Sequence, residues 1–177
     1  IYLNKEIKKP DFTGLKIRVT PIYRAMVEKL GGTAVTSAPP EIYTMLERNT
    51  VDGYGWPARG IFDFSWQKVT KFRVDPGFYA IELGVVFNLA SWNKLNAQQK
   101  AFLTKQAEWL EAQNVEMGKV DGPADAKKQA DAGIQVIKLD DAQSKIFLKA
   151  AYDGGWEQIV KASPTKGPQL RALMEPK

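Results

Sequence analysis

Apolar and polar residues follow two different periods along this chain, and their order predicts a mixed α/β fold. Residues 15–20 (Leu-Lys-Ile-Arg-Val-Thr) alternate with period two and are rich in β-branched side chains, which indicates a strand. A helix is predicted from about Ile22 to Leu30, ended by Gly31-Gly32, because its apolar residues recur at helical spacing. By the same criteria the chain has further strands over 33–37, 71–74 and 134–139, and further helices over 39–49 and 58–67.

The most apolar stretch predicts a buried strand, and a long helical region follows it. Residues 78–89 form a near-continuous apolar run, which is typical of a strand buried on both faces. The long helix starts at Asn96, with Gln99 as its capping-box partner, and should bend or break at Gly118 and Gly122-Pro123. Later, Asp140 should cap a helix that Gly154-Gly155 interrupts, and a short helix over 169–174 ends the pattern.

This alternation of strands and single helices predicts parallel βαβ units, in which ligands bind at the carboxyl ends of the strands. The segment Gly14 to Pro57 is the part most informative about a binding site. It begins with a strand that carries one arginine, Arg18, and it ends with the turn Val51-Asp52-Gly53-Tyr54-Gly55-Trp56-Pro57. We expect its two ends to meet and hold the carboxylate of a small organic acid.

Composition removes several classes of chemistry. The 177 residues contain no cysteine and no histidine, which argues against disulfides, zinc or haem sites and a Ser–His–Asp mechanism. The net charge of +5 is scattered, without a basic stripe, so no nucleic-acid partner is expected. No apolar run approaches the roughly 20 residues of a membrane span. The first residues lack a signal-peptide pattern and an initiator methionine, which suggests a mature or cut chain.

Several motifs in order resemble one protein family. They are Gly14-Leu15-Lys16-Ile17-Arg18-Val19, Glu41-Ile42-Tyr43-Thr44-Met45-Leu46, Val51-Asp52-Gly53, Val86-Phe87-Asn88 and Trp92-Asn93-Lys94-Leu95. Together they resemble the substrate-binding proteins of tripartite ATP-independent periplasmic (TRAP) transporters, the DctP family. The resemblance covers nearly the whole chain, from about Asp11 to the last helices.

The resemblance implies a periplasmic-binding-protein type II clamshell with a long helix that spans both domains. It implies a hinge or linker strand over 1–12, a second, carboxylate-anchoring domain over 13–80, and a hinge strand, long helix and C-terminal helices over 81–177 that complete the first domain. Family members are longer than this chain, so its N-terminal half is expected to be missing. The implied protein is periplasmic, is not an enzyme, and delivers an organic acid to TRAP membrane permease subunits.

The resemblance also implies the site residues. The arginine of the Gly-Leu-Lys-x-Arg-Val motif pairs with the substrate carboxylate in the family, and here it is Arg18. A guanidinium matches a carboxylate with two parallel hydrogen bonds and stays charged at any working pH. Taken alone, a strand arginine fits a surface ion pair better, and only the family position reverses that reading.

Four further candidates follow from the turn and the apolar run: Tyr54, Trp56, Pro57 and Phe78. Trp56 stands where the family often has an asparagine, so it is interpreted as an apolar wall. Some keto-acid-binding members have Glu-Trp here with a metal beside the ligand, but this chain has Gly55 in place of the glutamate. No metal and no cofactor are therefore expected. The aromatic residues Tyr54 and Trp56 favour an aromatic or branched carboxylate over a sugar acid as the ligand.

Two alternatives remain open from the residues alone. The first is an α/β enzyme that uses carboxylate or lysine catalysis, with Asp52, Asp63 and Glu82 as candidate acids, although no pair has a diagnostic spacing. The second is a purely structural or interaction fragment. It predicts that Arg18→Ala changes no ligand affinity.

Overall fold

A computed structural model describes residues 1–79 and 84–174. Six strands form one mixed sheet in the order β3-β2-β4-β1-β5-β6: β1 Tyr2–Leu3, β2 Lys16–Val19, β3 Thr33–Thr36, β4 Gly53–Tyr54, β5 Phe72–Asp75 and β6 Gln135–Lys138. The helices are α1 Pro21–Lys29, α2 Ile42–Glu47, α3 Leu89–Asn93, α4 Ala97–Asp131, α5 Asp141–Ala162 and α6 Gly167–Met174. Short 3-10 segments cover Pro39–Glu41, Phe62–Phe64 and Trp66–Val69.

The sheet is parallel on both sides of one antiparallel strand. β2 pairs in parallel with β3 and β4, and β5 pairs in parallel with β6. β1 lies between the two groups and is antiparallel to β4 and to β5. The expectation of parallel βαβ units therefore holds within each group, and β1 joins the groups into one sheet.

Two apolar cores cover the two faces of the sheet, because successive side chains of a strand point to opposite faces. In β1, Tyr2 belongs to one core and Leu3 to the other. Leu3 lies in the core that α1 and α5 cover, and Phe147 of α5 is fully buried there. Tyr2 lies in the core that contains residues of α2 and of the 3-10 segments Phe62–Phe64 and Trp66–Val69. The predicted domain boundaries stay a prediction, while β6 and α5 share the sheet and core of residues 1–75.

The predicted strand over 78–89 is wrong where the structure describes it. Residues 78–79 and 84–88 have no regular structure, α3 begins at Leu89, and residues 80–83 lie outside the described residues. Val85 and Val86 are 77% and 91% exposed. Apolar composition predicts burial, but a strand also needs a neighbouring strand, and in the described part of the chain none pairs with this run.

The predicted break in α4 and the predicted interruption of α5 are also wrong. α4 runs unbroken from Ala97 to Asp131 through Gly122-Pro123, starting with the predicted Asn96–Gln99 capping box. α5 runs through Gly154, where a Cβ atom would lie 3.0 Å from the Met26 nitrogen of α1. That glycine permits the close approach of two helices and does not end one. The predicted helix over 58–67 is instead replaced by the two 3-10 segments at Phe62–Phe64 and Trp66–Val69.

Candidate functional site

Arg18 is a buried cation with an unused hydrogen-bond donor. It lies in the middle of β2, paired with Val35 of β3 and Tyr54 of β4, and is only 2% exposed. Its Nε atom donates to the carbonyl oxygen of Ser37 at 3.1 Å, and its Nη2 atom donates to the same oxygen. Its Nη1 atom is buried and has no hydrogen-bond partner among the described residues. A charged donor that is buried without an acceptor favours a bound anion, because buried polar groups are nearly always hydrogen-bonded.

No carboxylate within the described residues forms an ion pair with Arg18. The pKa of Arg18 is lowered by burial, and the negative charge of Glu41 opposes part of that shift. The carboxylate of Glu41 instead accepts the Ala38 amide at 3.1 Å, as part of a capping arrangement. Because an arginine stays protonated in proteins, the site holds a buried positive charge that an anion could neutralise.

Tyr54, the second predicted contact, lies in the core. Its ring stacks on Tyr2 at a centroid distance of 5.0 Å, and its hydroxyl lies 2.9 Å from the Thr70 hydroxyl. Thr70 in turn donates to the Trp66 carbonyl oxygen at 2.8 Å. Burial raises the pKa of Tyr54 well above its usual range. Its hydroxyl already has a partner, so direct ligand contact by Tyr54 stays a prediction that this geometry does not favour.

The other three predicted residues, Trp56, Pro57 and Phe78, line one cavity of about 400 Å³. We call it the aromatic cavity. Its wall also includes Ala58, Arg59, Arg73, Asp75 and Tyr79, whereas Arg18 and Tyr54 are not among its lining residues. The cavity lies beside β1 and β5, and the loop after β4 supplies Trp56 and Pro57.

Buried aromatic side chains hold the cavity walls. The Trp56 ring packs edge-on against Trp66 at 4.8 Å and against Phe64 at 5.8 Å. On the opposite side, Tyr23 of α1 packs against Phe78 at 5.6 Å. Tyr23 and Trp66 are themselves 3% and 0% exposed, so the walls rest on rigid core positions.

Sequence reasoning missed Arg73 as a part of the cavity wall. Arg73 lies in β5, where the pattern indicates a strand, and Asp75 lies on the same face two residues later. The only available signal is that a charged pair at strand spacing follows a turn-rich aromatic segment. That signal does not identify the cavity, because the position of β5 beside β1 depends on long-range pairing.

The enzyme candidates have structural contacts or lie elsewhere. Asp52 accepts the Lys16 amide at 2.8 Å and pairs with Lys5 at 2.6 Å, which ties the turn before β4 to β2. Asp63 lines a separate cavity between α4 and the loop at 57–63, and Glu82 lies outside the described residues. Among the described residues there is no group of His, Cys, Asp or Glu suited to a metal ion. Nor is any helix in that part long and apolar enough to cross a membrane.

Gly55 is required by a close contact with Tyr23, so we expect Gly55→Glu to destabilise the fold. A Cβ atom at position 55 would lie 2.6 Å from Cδ2 of Tyr23, whose ring cannot shift without displacing Phe78. We expect a loss of about 1–3 kcal/mol in the free energy of unfolding. No divalent-metal binding should appear, although the substitution restores a Glu-Trp pair. Urea denaturation and metal titration calorimetry measure the two outcomes.

The matched control is Gly118→Glu, because a Cβ atom at Gly118 of α4 would have nothing within 4 Å. Its free energy of unfolding should change by no more than about 1 kcal/mol. If Gly55→Glu were as stable as this control, the contact with Tyr23 would not constrain the turn.

Comparison with known proteins gives one family for most of the chain. The family model described as bacterial extracellular solute-binding protein, family 7 (DctP), matches residues 1–161. The 2,3-diketo-L-gulonate-binding periplasmic protein YiaO of Escherichia coli is 29% identical over 176 residues, which are 96% of this chain and 52% of that protein. A monocarboxylate 2-oxoacid-binding periplasmic protein of Nostoc is 31% identical over 114 residues, which are 60% of this chain and 31% of that protein.

Solved structures share the fold. A TRAP periplasmic solute-binding protein from Desulfovibrio salexigens with bound orotic acid has a TM-score of 0.79 and 21% identity, over 97% of this chain and 56% of that one. A TRAP solute-binding protein from a marine metagenome, described as specific for aromatic acids and solved with 3-hydroxybenzoate, has a TM-score of 0.74 and 22% identity, over 96% and 56%. The expected fold class is confirmed. These proteins match nearly the whole of this chain. The chain, in turn, spans only about half of their length.

Proposed function

The chain belongs to family 7 of the bacterial extracellular solute-binding proteins, the DctP family, and on that premise we propose that it carries the anchoring half of an organic-acid binding site. The proteins of this family that match it are solute-binding proteins and not enzymes. The observation that carries the proposal is the unbonded Nη1 atom of Arg18, at 2% residue exposure.

A ligand carboxylate is the group that fits this donor best. Leaving a buried donor unsatisfied costs about 1–3 kcal/mol, and more when the group is charged. A carboxylate oxygen supplies both the missing acceptor and the missing negative charge. The Ser37 carbonyl already fixes the guanidinium on its Nε and Nη2 side, so Arg18 is held in place before the ligand arrives. Pre-organisation of this kind lowers the entropic cost of binding.

The aromatic cavity supports an aromatic or branched acid as the ligand class. Arg18 does not line it, but the Gly55 amide donates to the Arg18 carbonyl oxygen at 2.9 Å, one residue before Trp56 of the cavity wall. Trp56 and Phe78 offer ring surfaces, and Arg59 and Arg73 contribute positive charge to a wall that also includes Asp75. Structures that share the fold hold orotic acid, 3-hydroxybenzoate and mandelate in those proteins. Others hold L-gulonate or D-galacturonate, so the fold alone does not select the ligand. The apolar wall in this chain is the reason for preferring the aromatic class.

The cellular role that we propose is the one expected from the family: capture in the periplasm and delivery to the membrane subunits of a TRAP transporter. Anchoring a carboxylate on one lobe lets the second lobe close around the ligand. Closure is favoured only if the ligand binds the closed state more tightly than the open state. Because this chain spans about half the length of its relatives, the second lobe belongs to that proposal.

A ligand panel tests the proposal directly. The purified protein is titrated by calorimetry and thermal shift with mandelate, 3-hydroxybenzoate, orotate, malonate and sialic acid. We expect the aromatic acids to raise the melting temperature and to bind more tightly than the others, because binding to the folded state stabilises it. No acid should be converted to product. Tight binding of sialic acid together with no binding of the aromatic acids would refute the preference for an aromatic ligand.

A further inference from the structure

One buried amide connects the long helix to the aromatic cavity. Gln129 is 2% exposed and is the one buried side chain among the 35 residues of α4. It lies near the carboxyl end of the helix, on the sheet face that also carries Tyr2. A buried glutamine requires hydrogen-bond partners for both of its amide atoms.

Both ends of the Gln129 amide contact the cavity wall. Its Oε1 atom accepts a hydrogen bond from Arg73 Nη1 at 3.0 Å, and its Nε2 atom donates to the Ala58 carbonyl oxygen at 2.7 Å. A guanidinium can only donate and a carbonyl can only accept, so these partners fix the orientation of the amide. The Tyr2 hydroxyl completes the network, 3.1 Å from the Pro57 carbonyl oxygen.

The two preceding turns of α4 contact the same loop. Asp125 Oδ2 accepts the Gly60 amide at 3.3 Å, and Asp121 Oδ2 pairs with Arg59 Nη1 at 3.1 Å. Residues four apart share one face of a helix. One face of α4 therefore follows the segment 58–60 along its length, and Gln129 is the member of that face shielded from water.

We propose that Gln129 is a positioning residue of the ligand site: it holds Arg73 and the Pro57–Ala58 segment in the wall of the aromatic cavity. This inference rests on the proposed function, because the cavity has to bind the acid. Arg73 has no ion pair with a carboxylate in the described part of the chain, so its bond to Gln129 is what orients the guanidinium. The position of the wall then depends on the position of α4.

Two substitutions of Gln129 test the hydrogen bonds at the two ends of its amide. Gln129→Met keeps the side-chain length and removes both hydrogen bonds. Gln129→Glu keeps an acceptor for Arg73 but cannot donate to the Ala58 carbonyl. Gln113→Met is the matched control, since Gln113 is an exposed glutamine of the same helix. Amide hydrogen exchange is measured without ligand, and affinities are measured with mandelate, 3-hydroxybenzoate and orotate.

We expect Gln129→Met to raise exchange at residues 58–60 at least about tenfold, because the loop loses buried bonds. Exchange in β2 should stay unchanged. Affinity for the best-binding acid should fall about tenfold. Gln129→Glu should loosen residues 58–60 but keep more of the affinity than Gln129→Met, since Arg73 stays anchored. Gln113→Met should match the unaltered protein in both measurements.

Uniformly faster exchange across the sheet would overturn the proposal, because it would mean that Gln129 only stabilises the fold. A local rise in exchange without a loss of affinity would also overturn it. If none of the acids bound the unaltered protein, the proposed function would fail. Exchange at residues 58–60 would then decide whether Gln129 positions the cavity wall.

Discussion

Replacing Arg18 with methionine is expected to remove ligand binding while leaving the protein folded. The ligand carboxylate would lose its charged partner in a buried site, and truncating one member of such a pair costs about 2–5 kcal/mol. We therefore expect the dissociation constant for the best-binding aromatic acid to rise at least about 30-fold. Titration calorimetry on the unaltered protein and on Arg18→Met measures the change.

Folding should respond much less than binding. Methionine fills similar volume, and it removes the cost of burying the unbonded Nη1 atom. In exchange, the Ser37 carbonyl loses its two donor atoms. These contributions oppose each other, so the free energy of unfolding should change by less than about 2 kcal/mol. Urea denaturation without ligand separates this result from simple unfolding.

Arg24→Met is the matched control for Arg18→Met. Arg24 lies on α1, its side chain is 44% exposed, and it pairs with Glu28 at 3.2 Å. Exposed pairs of this kind contribute about 0–1 kcal/mol. Affinity should therefore stay within about twofold of the unaltered protein. Equal losses in the two variants would mean that Arg18 acts only through net charge, and an unchanged affinity in Arg18→Met would favour the interaction-fragment alternative.

Local sequence signals predict correctly the helices and strands whose formation depends on residues close together in sequence. The alternation over 15–20 predicted β2, and the helical spacing that ends at Gly31-Gly32 predicted α1. The Asn96–Gln99 pair predicted the start of α4 to the residue. These features follow from backbone preferences and capping bonds between neighbours in sequence. Of these features, only the strand over 15–20 overlaps the motifs that carry the family resemblance.

The wrong predictions concern elements whose structure depends on contacts between residues distant in sequence. Residues 85–87 and Leu89 are apolar, yet Val85, Val86 and Leu89 are mostly exposed, as are Trp109 and Val120 on α4. Their apolar character predicts burial, but the sequence does not indicate which surface would cover them. The prediction for Gly154 of α5 is wrong for a related reason, because its role depends on the contact between α1 and α5, which the sequence does not indicate.

The candidate site was predictable in part. Trp56, Pro57 and Phe78 do meet in one cavity, although they come from the loop after β4 and the segment after β5. Arg73 and Gln129 carried no sequence signal, because a strand arginine and a helix glutamine are common at exposed positions. Their role depends on the pairing of β5 with β1 and on the docking of α4, which are properties of the fold.

Replacing Trp66 with alanine is expected to cause the largest loss of stability. Trp66 is fully buried and its ring contacts Phe64 at 4.6 Å, Trp56 at 4.8 Å and Tyr54 at 5.1 Å. Removing a buried tryptophan leaves a cavity, and the loss in the free energy of unfolding should be about 3–5 kcal/mol. Urea denaturation measures it, and the denaturation slope should stay unchanged if the folded core remains compact.

Trp66→Phe is the informative companion to Trp66→Ala. Within residues 1–79 and 84–174 the buried indole nitrogen of Trp66 has no hydrogen-bond partner, so phenylalanine removes an unsatisfied donor as well as some volume. Its cost should therefore be well below that of alanine, about 1–2 kcal/mol. Trp56 packs against the Trp66 ring, so ligand affinity, like stability, should fall more in Trp66→Ala than in Trp66→Phe. If affinity fell equally in the two variants, the indole nitrogen would have a binding role that ring packing does not explain.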